Sequence, residues 1–223
     1  MCGRFSLTVS PEAIAQQFNL SQVPDSQPRY NIAPSQNIAT LVKSKEIPEK
    51  QFQWMRWGLV PSWAKDIKIG YKLINARVET VTEKPSFRSA IKQRRCLILA
   101  DGFYEWQKQG KQKQPYYFQL ESGDVFAFAG LWETWNSPED ERVISCTILT
   151  TAADAVVSPI HERMPIIVPS QHYQAWLDPE ITTPQDILPL LSEGDRDRLQ
   201  AKPASTMVNN PKYDSPALAL SAE

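Results

Sequence analysis

No stretch of these 223 residues is apolar for long enough to cross a bilayer, and the first residues lack the hydrophobic segment of a secretory signal. A soluble, cytoplasmic chain is therefore expected. Cysteine is scarce: three residues make no disulfide framework, so the thiols should be reduced. Two separated histidines and scattered cysteines give no zinc-type ligand spacing, and neither a metal nor a cofactor is expected. There is no G-x-S-x-G elbow and no glycine-rich phosphate loop, which disfavours a serine hydrolase and a doubly wound nucleotide-binding fold. Glycine is sparse (8) and proline plentiful (18), as in a chain with many stiff, irregular connections. Without repeats, low-complexity tracts or linkers, residues 1–223 read as one domain.

Strand patterns dominate the middle of the chain. "QFQWMRWGLVP" and "RRCLILADGFYEWQ" each read as one strand ending in turn residues. A meander should follow: "PYYFQLE", a turn at Ser122-Gly123, "VFAFAGLWETW", then "VISCTILTTA". Helices belong at the edges. Ser10-Pro11-Glu12 starts one with Ile14 and Phe18 on its buried stripe, and Pro85 enters another in "KPSFRSAIKQ". Ser170 and Thr183-Pro184 should cap "QHYQAWL" and "PQDILPLLS". With no βαβ alternation, the expected class is α+β, a mostly antiparallel sheet curled toward a barrel and flanked by short helices.

The second residue is a cysteine. Removal of Met1 would leave an α-amine, with a pKa near 8, on the same carbon skeleton as a thiol. Such a 1,2-aminothiol converts an aldehyde to an imine and then closes a thiazolidine ring, which an internal cysteine cannot do. An incidental Cys2 is the alternative. Cys96 and Cys146 lie in apolar strand patterns and read as packing residues.

His161 sits in the stiff loop "SPIHERMP", a typical place for a site residue, although a loop histidine bonded to backbone fits as well; His172 reads as structural. Glu105, between Tyr104 and Trp106, would have a raised pKa if buried, or would point outward on an alternating strand. Asn75 and Arg77 share one side of an extended segment and could hold a sugar-phosphate. Trp54, Trp57 and Trp63 lie among basic residues, placed either to stack bases or to fill the core. Net charge is −1, yet residues 56–95 hold ten Lys/Arg against three acids, enough to build a basic face or merely a solvated one.

These stretches, together with "MCGRF", "YNIAPSQ", "WGLVPSWAKD", "NARVET", "KPSFRSA", "ADGFYEW", "AGLWE", "HERMP" and a tail "VNN", resemble in content and order the SRAP family, the SOS response-associated peptidase proteins that shield abasic sites in DNA. Leu99 departs from the family pattern, where a proline is usual. The resemblance implies that mature Cys2 traps the ring-opened aldehyde of an abasic deoxyribose in single-stranded DNA as a thiazolidine. It implies Glu105 as general acid/base, His161 as the aid to ring opening and Asn75 as the group that positions the sugar. Arg4 and Arg77 would hold flanking phosphates. Trp106, Trp57, Trp63 and Arg88 would belong to the DNA-binding surface. The implied partner is single-stranded DNA with abasic sites, bound by a monomer at the nucleoid, with strand-cleaving lyase activity as a further option.

Three rivals differ in class. A Cys-His-Asn peptidase could use Cys2, His161 and Asn75 and remove its own Met1. "MCG" also starts N-terminal-nucleophile amidotransferases, but no glutamine-binding motif follows. A non-catalytic single-strand binder would need only the basic and aromatic surface.

Overall fold

The computed structural model describes residues 2–22, 25–46, 48–137, 139–192 and 199–218. Its elements in chain order are β1 (Arg4–Leu7), α1 (Pro11–Gln17), β2 (Arg29–Ile32), β3 (Asn37–Val42), β4 (Gln51–Trp57), β5 (Asn75–Arg77), α2 (Ala90–Gln93) and β6 (Arg95–Ala100). There follow β7 (Gly102–Gln109), β8 (Gln112–Leu120), β9 (Phe126–Asn136), β10 (Arg142–Ala152), β11 (Arg163–Pro165), α3 (Tyr173–Leu177), α4 (Pro184–Ile187) and β12 (Leu199–Pro203).

The strands form two sheets. One is an all-antiparallel array in the order β12-β8-β7-β1-β2. In the other, β10, β4, β3, β6 and β9 pair in turn and β9 returns to β10, closing a small barrel that β5 and β11 extend. The sheets face one another across aromatic contacts: Phe5 of β1 meets Trp57 of β4 at 5.1 Å and Phe128 of β9 at 5.8 Å between ring centroids. The α+β class and the curled core match the sequence reading. The expectation of a mostly antiparallel sheet is met only in part, because β10 runs parallel to both β4 and β5 and makes the barrel sheet mixed.

Two further expectations are corrected. "RRCLILADGFYEWQ" is not one strand. Every residue of β6 is buried, as befits a strand covered on both faces, and the chain then crosses to the other sheet at Asp101. The meander is not one either: β8 and β9 flank the Ser122-Gly123 turn, where Gly123 has φ 74°, but lie in different sheets. β9 and β10 do form a hairpin.

The helices are short. In α1 the Ser10 hydroxyl accepts the Ala13 N–H at 3.2 Å, with Pro11 in the first turn, as the sequence predicts. The expected helix from Pro85 is helical only over Ala90–Gln93, after turns containing Ser86 and Ser89, residues whose side chains compete with helix hydrogen bonding. Ser170 begins a 3-10 turn and does not cap α3. Thr183 precedes α4, but its hydroxyl donates to Asp186 and caps no backbone N–H.

Candidate active site

Cys2 enters the site from the start of β1 and is fully buried. The Asn75 Nδ2 donates to the Cys2 carbonyl oxygen at 2.8 Å, and the Cys2 thiol lies 3.6 Å from the Arg4 carbonyl. Asn75 heads β5, where the parallel pairing Asn75↔Ile148 with β10 fixes its backbone. Its Oδ1 is buried and, among the described residues, has no hydrogen-bond partner.

Glu105 comes from β7, whose register with β1 pairs Arg4 with Tyr104. Only 1% of it is exposed, and burial pushes its carboxyl up to about 7. Burial first, and then the Glu105 charge, drive the Cys2 thiol far above its ordinary value. The two groups therefore share one electrostatic environment.

A cavity of about 510 Å³ opens beside them, lined by Arg4, Glu105, Trp106, Lys113, His161 and Asn209. His161 is half-buried. Its Nδ1 accepts the Arg163 N–H at 3.0 Å, and desolvation lowers its pKa. A neutral ring with the proton on Nε2 satisfies that hydrogen bond. Arg163 also ties two walls together: its guanidinium makes a bidentate pair with Glu79 at 2.6 and 3.0 Å, just beyond Asn75 and Arg77. The Arg4 guanidinium donates to the Gly3 carbonyl at 2.9 Å, leaves a buried Nε unpartnered, and has its pKa lowered by burial.

Cys2, Asn75, Glu105, His161, Arg4 and Trp106 thus converge. Arg77 is exposed at the end of β5. Trp57 is no groove residue: it is fully buried and its indole N–H donates to the Ile74 carbonyl at 2.9 Å, bracing the residue before Asn75. Trp63 is 58% exposed but lines a different cavity, with Lys65, Lys68 and Lys72. Arg88 is exposed in the turns before α2 and does not line the Glu105 cavity. Cys96 and Cys146 are buried packing residues, and the His172 ring bonds the Leu190 carbonyl.

Sequence reasoning missed Lys113, Asn209 and Asp101. Asn209 lies in "VNN" and accepts the Trp106 indole N–H at 2.7 Å. The Asp101 carboxylate takes the Ser6 and Thr8 hydroxyls at 2.6 Å each and the backbone N–H groups of Thr8 and Val9, anchoring the strand that carries Cys2. An Asp-Gly pair inside a strand pattern was the available signal.

The family model of SOS response associated peptidase (SRAP) matches residues 1–211. The chain is a member of this family. Among similar proteins, abasic site processing protein YoqW of Bacillus subtilis (strain 168) is 46% identical over 222 residues, covering 98% of each chain. Abasic site processing protein HMCES of Xenopus tropicalis is 31% identical over 259 residues, covering 97% of this chain and 77% of its own. A crystal structure from Bordetella bronchiseptica superposes with a TM-score of 0.78 at 27% identity, over 92% of this chain and all of that one. Another, from Bacteroides thetaiotaomicron, reaches 0.86 at 24% identity over the full length of both, and speaks to the fold alone.

Proposed function

We propose that this chain acts as a single SRAP domain that senses and shields abasic sites in single-stranded DNA, by forming a covalent thiazolidine through Cys2 after loss of Met1. The observation that carries the reading is the Asn75–Cys2 hydrogen bond at 2.8 Å beside a buried Glu105 with a pKa near 7. It holds the N-terminal residue by its backbone and leaves amine and thiol for chemistry.

The steps follow from the residues. The Nε2–H of the neutral His161 hydrogen-bonds the sugar ring oxygen, which takes up a proton from water while the C1′ hydroxyl gives its own to water, and the C1′ aldehyde opens. The Cys2 amine adds to that carbon to give a carbinolamine. Protonated Glu105 gives its proton to the departing hydroxyl, so one water leaves and a protonated imine remains. Glu105, now a carboxylate, takes the thiol proton, and sulfur closes the ring on the imine carbon. A carboxyl poised near 7 can serve in both steps. The open Asn75 Oδ1 accepts a deoxyribose hydroxyl, and Arg4 and Arg77 hold neighbouring phosphates. An imine left open promotes β-elimination of the adjoining phosphate; ring closure removes it, so protection outweighs strand cleavage. Charge-based contacts to the backbone suit a cytoplasmic, nucleoid-associated monomer.

The peptidase reading fits less well. A cysteine protease needs its thiolate stabilised, whereas burial and the Glu105 charge favour the Cys2 thiol. Incubation with abasic and intact oligonucleotides separates the two. A heat-stable adduct on the abasic strand alone, absent in Cys2→Ala, is expected; peptide turnover with no adduct overturns the reading.

A further inference from the structure

The hairpin of β7 and β8 has a composition that the proposed chemistry leaves unused. Residues 107–114 read "QKQGKQKQ", and from Trp106 to Leu120 there is no acidic residue. Gly110, at φ 61°, makes the tight turn. The register places Lys108 directly opposite Lys113, both exposed. Facing like charges on an antiparallel pair destabilise it. Among the described residues, no ion pair engages Lys108, Lys111 or Lys113.

Strand alternation fixes the direction of this charge. Tyr104, Trp106 and Lys108 share one face of β7; Arg4 pairs with Tyr104, and Lys113 with Lys108, so both extend that face. Arg4, Trp106 and Lys113 line the Glu105 cavity, which makes the lysine pair the outer end of a row that starts at the site. The hairpin is anchored on both sides. Gln107 donates to the Pro159 carbonyl at 3.0 Å, two residues before His161, and Gln114 donates to the Ala204 carbonyl at 3.1 Å. Trp106 is held by Asn209.

We propose that Lys108 and Lys113 form a phosphate clamp for the single strand on one side of the abasic nucleotide, continuing the path Arg4–Trp106 out of the cavity. The polyanion relieves the lysine–lysine repulsion, and Trp106 offers a ring face between the reacting sugar and the clamp. The inference rests on the single-strand reading above and adds a directional contact to it.

The test is a fluorescence-anisotropy titration of an intact single-stranded oligonucleotide, which needs no covalent chemistry. Lys108→Gln/Lys113→Gln should weaken binding by about tenfold near physiological salt and lower the slope of log affinity against log salt by about 1.4, as expected for two phosphates on a single strand. Lys108→Arg/Lys113→Arg should restore both. Neutral methylphosphonates in one flank of a strand carrying a non-reactive tetrahydrofuran abasic analogue should weaken binding of the native protein by a similar factor and leave the Gln variant unaffected. That arm applies to the native protein even if the Gln variant folds poorly, although its thermal midpoint should equal or exceed that of the native chain. Equal losses in native and Gln proteins with either flank neutralised, or an unchanged salt slope, overturn the clamp. Absence of any abasic adduct with intact binding overturns the covalent reading and not the clamp.

Discussion

Glu105 is where burial has the clearest consequence. Its carboxyl ionises near 4.5 in the unfolded chain and near 7 in the folded one. Between those values the folded state keeps a proton that the unfolded state has lost, so stability falls as pH rises through the window and levels off above it. Glu105→Gln should abolish that slope and be more stable than the native chain above pH ~8 by about 3 kcal/mol, measured by denaturant unfolding on both sides of the window. On the proposed chemistry the crosslinking rate peaks between the carboxyl near 7 and an amine near 8, and Glu105→Gln loses the alkaline limb. A native stability that rises from pH ~5 to ~7 in step with one proton contradicts the burial argument. Cys2, Glu105 and His161 could be singled out in the sequence by position and neighbours. Trp57 could not be placed, because an aromatic among basic residues reads the same whether it faces DNA or, as here, the Ile74 carbonyl.

At the scale of elements, the corner at Asp101-Gly102 decides where Cys2 stands. Asp101 fastens the end of β1, while Gly102 lets the Tyr117 ring lie against the backbone; a Cβ there would meet the Tyr117 hydroxyl oxygen at 2.1 Å. That hydroxyl also lies 2.8 Å from the Ser6 hydroxyl. Gly102→Ala should therefore destabilise the protein by about 2–4 kcal/mol, read as a drop in thermal midpoint of roughly 5–15 °C, because ring and strand must both shift. A midpoint within a degree or so of native removes the corner's role. Strand existence was legible from apolar alternation and the cap of α1 from Ser10-Pro11. The switch of sheets at Asp101 was not, since β6 and β7 are continuous in hydrophobicity. Nor was the parallel pairing of β10 with β4 and β5, which joins strands far apart in the chain.

Over the whole molecule, the basic segment 56–95 does not become one basic face. Arg95 is 3% exposed and donates to the carbonyls of Trp176, Ile91, Lys92 and Asp178, with its pKa lowered to about 10 by burial. Arg94 pairs with Glu133 at 2.8 Å, and Arg56 bonds the Ser35 carbonyl and lies over the Tyr71 ring. A linear charge count cannot separate such structural cations from Lys65, Lys68 and Lys72 around Trp63, or from the hairpin lysines that lie outside the segment. Arg95→Lys keeps the charge and loses the planar fork. It should lower stability by about 2–3 kcal/mol, a fall of roughly 5–10 °C in Tm, and leave single-strand affinity unchanged. A loss of affinity at temperatures where that variant is fully folded would return Arg95 to the DNA surface.

The central claim is that one N-terminal residue gives both its nitrogen and its sulfur to a sugar carbon. Intact-mass and tandem mass spectrometry of the purified protein with an abasic oligonucleotide tests it directly. A chain lacking Met1, joined to the strand with loss of one water, and a Cys2 sulfur no longer open to alkylation are expected. An adduct on protein that retains Met1, or one in which the Cys2 thiol still alkylates, contradicts it.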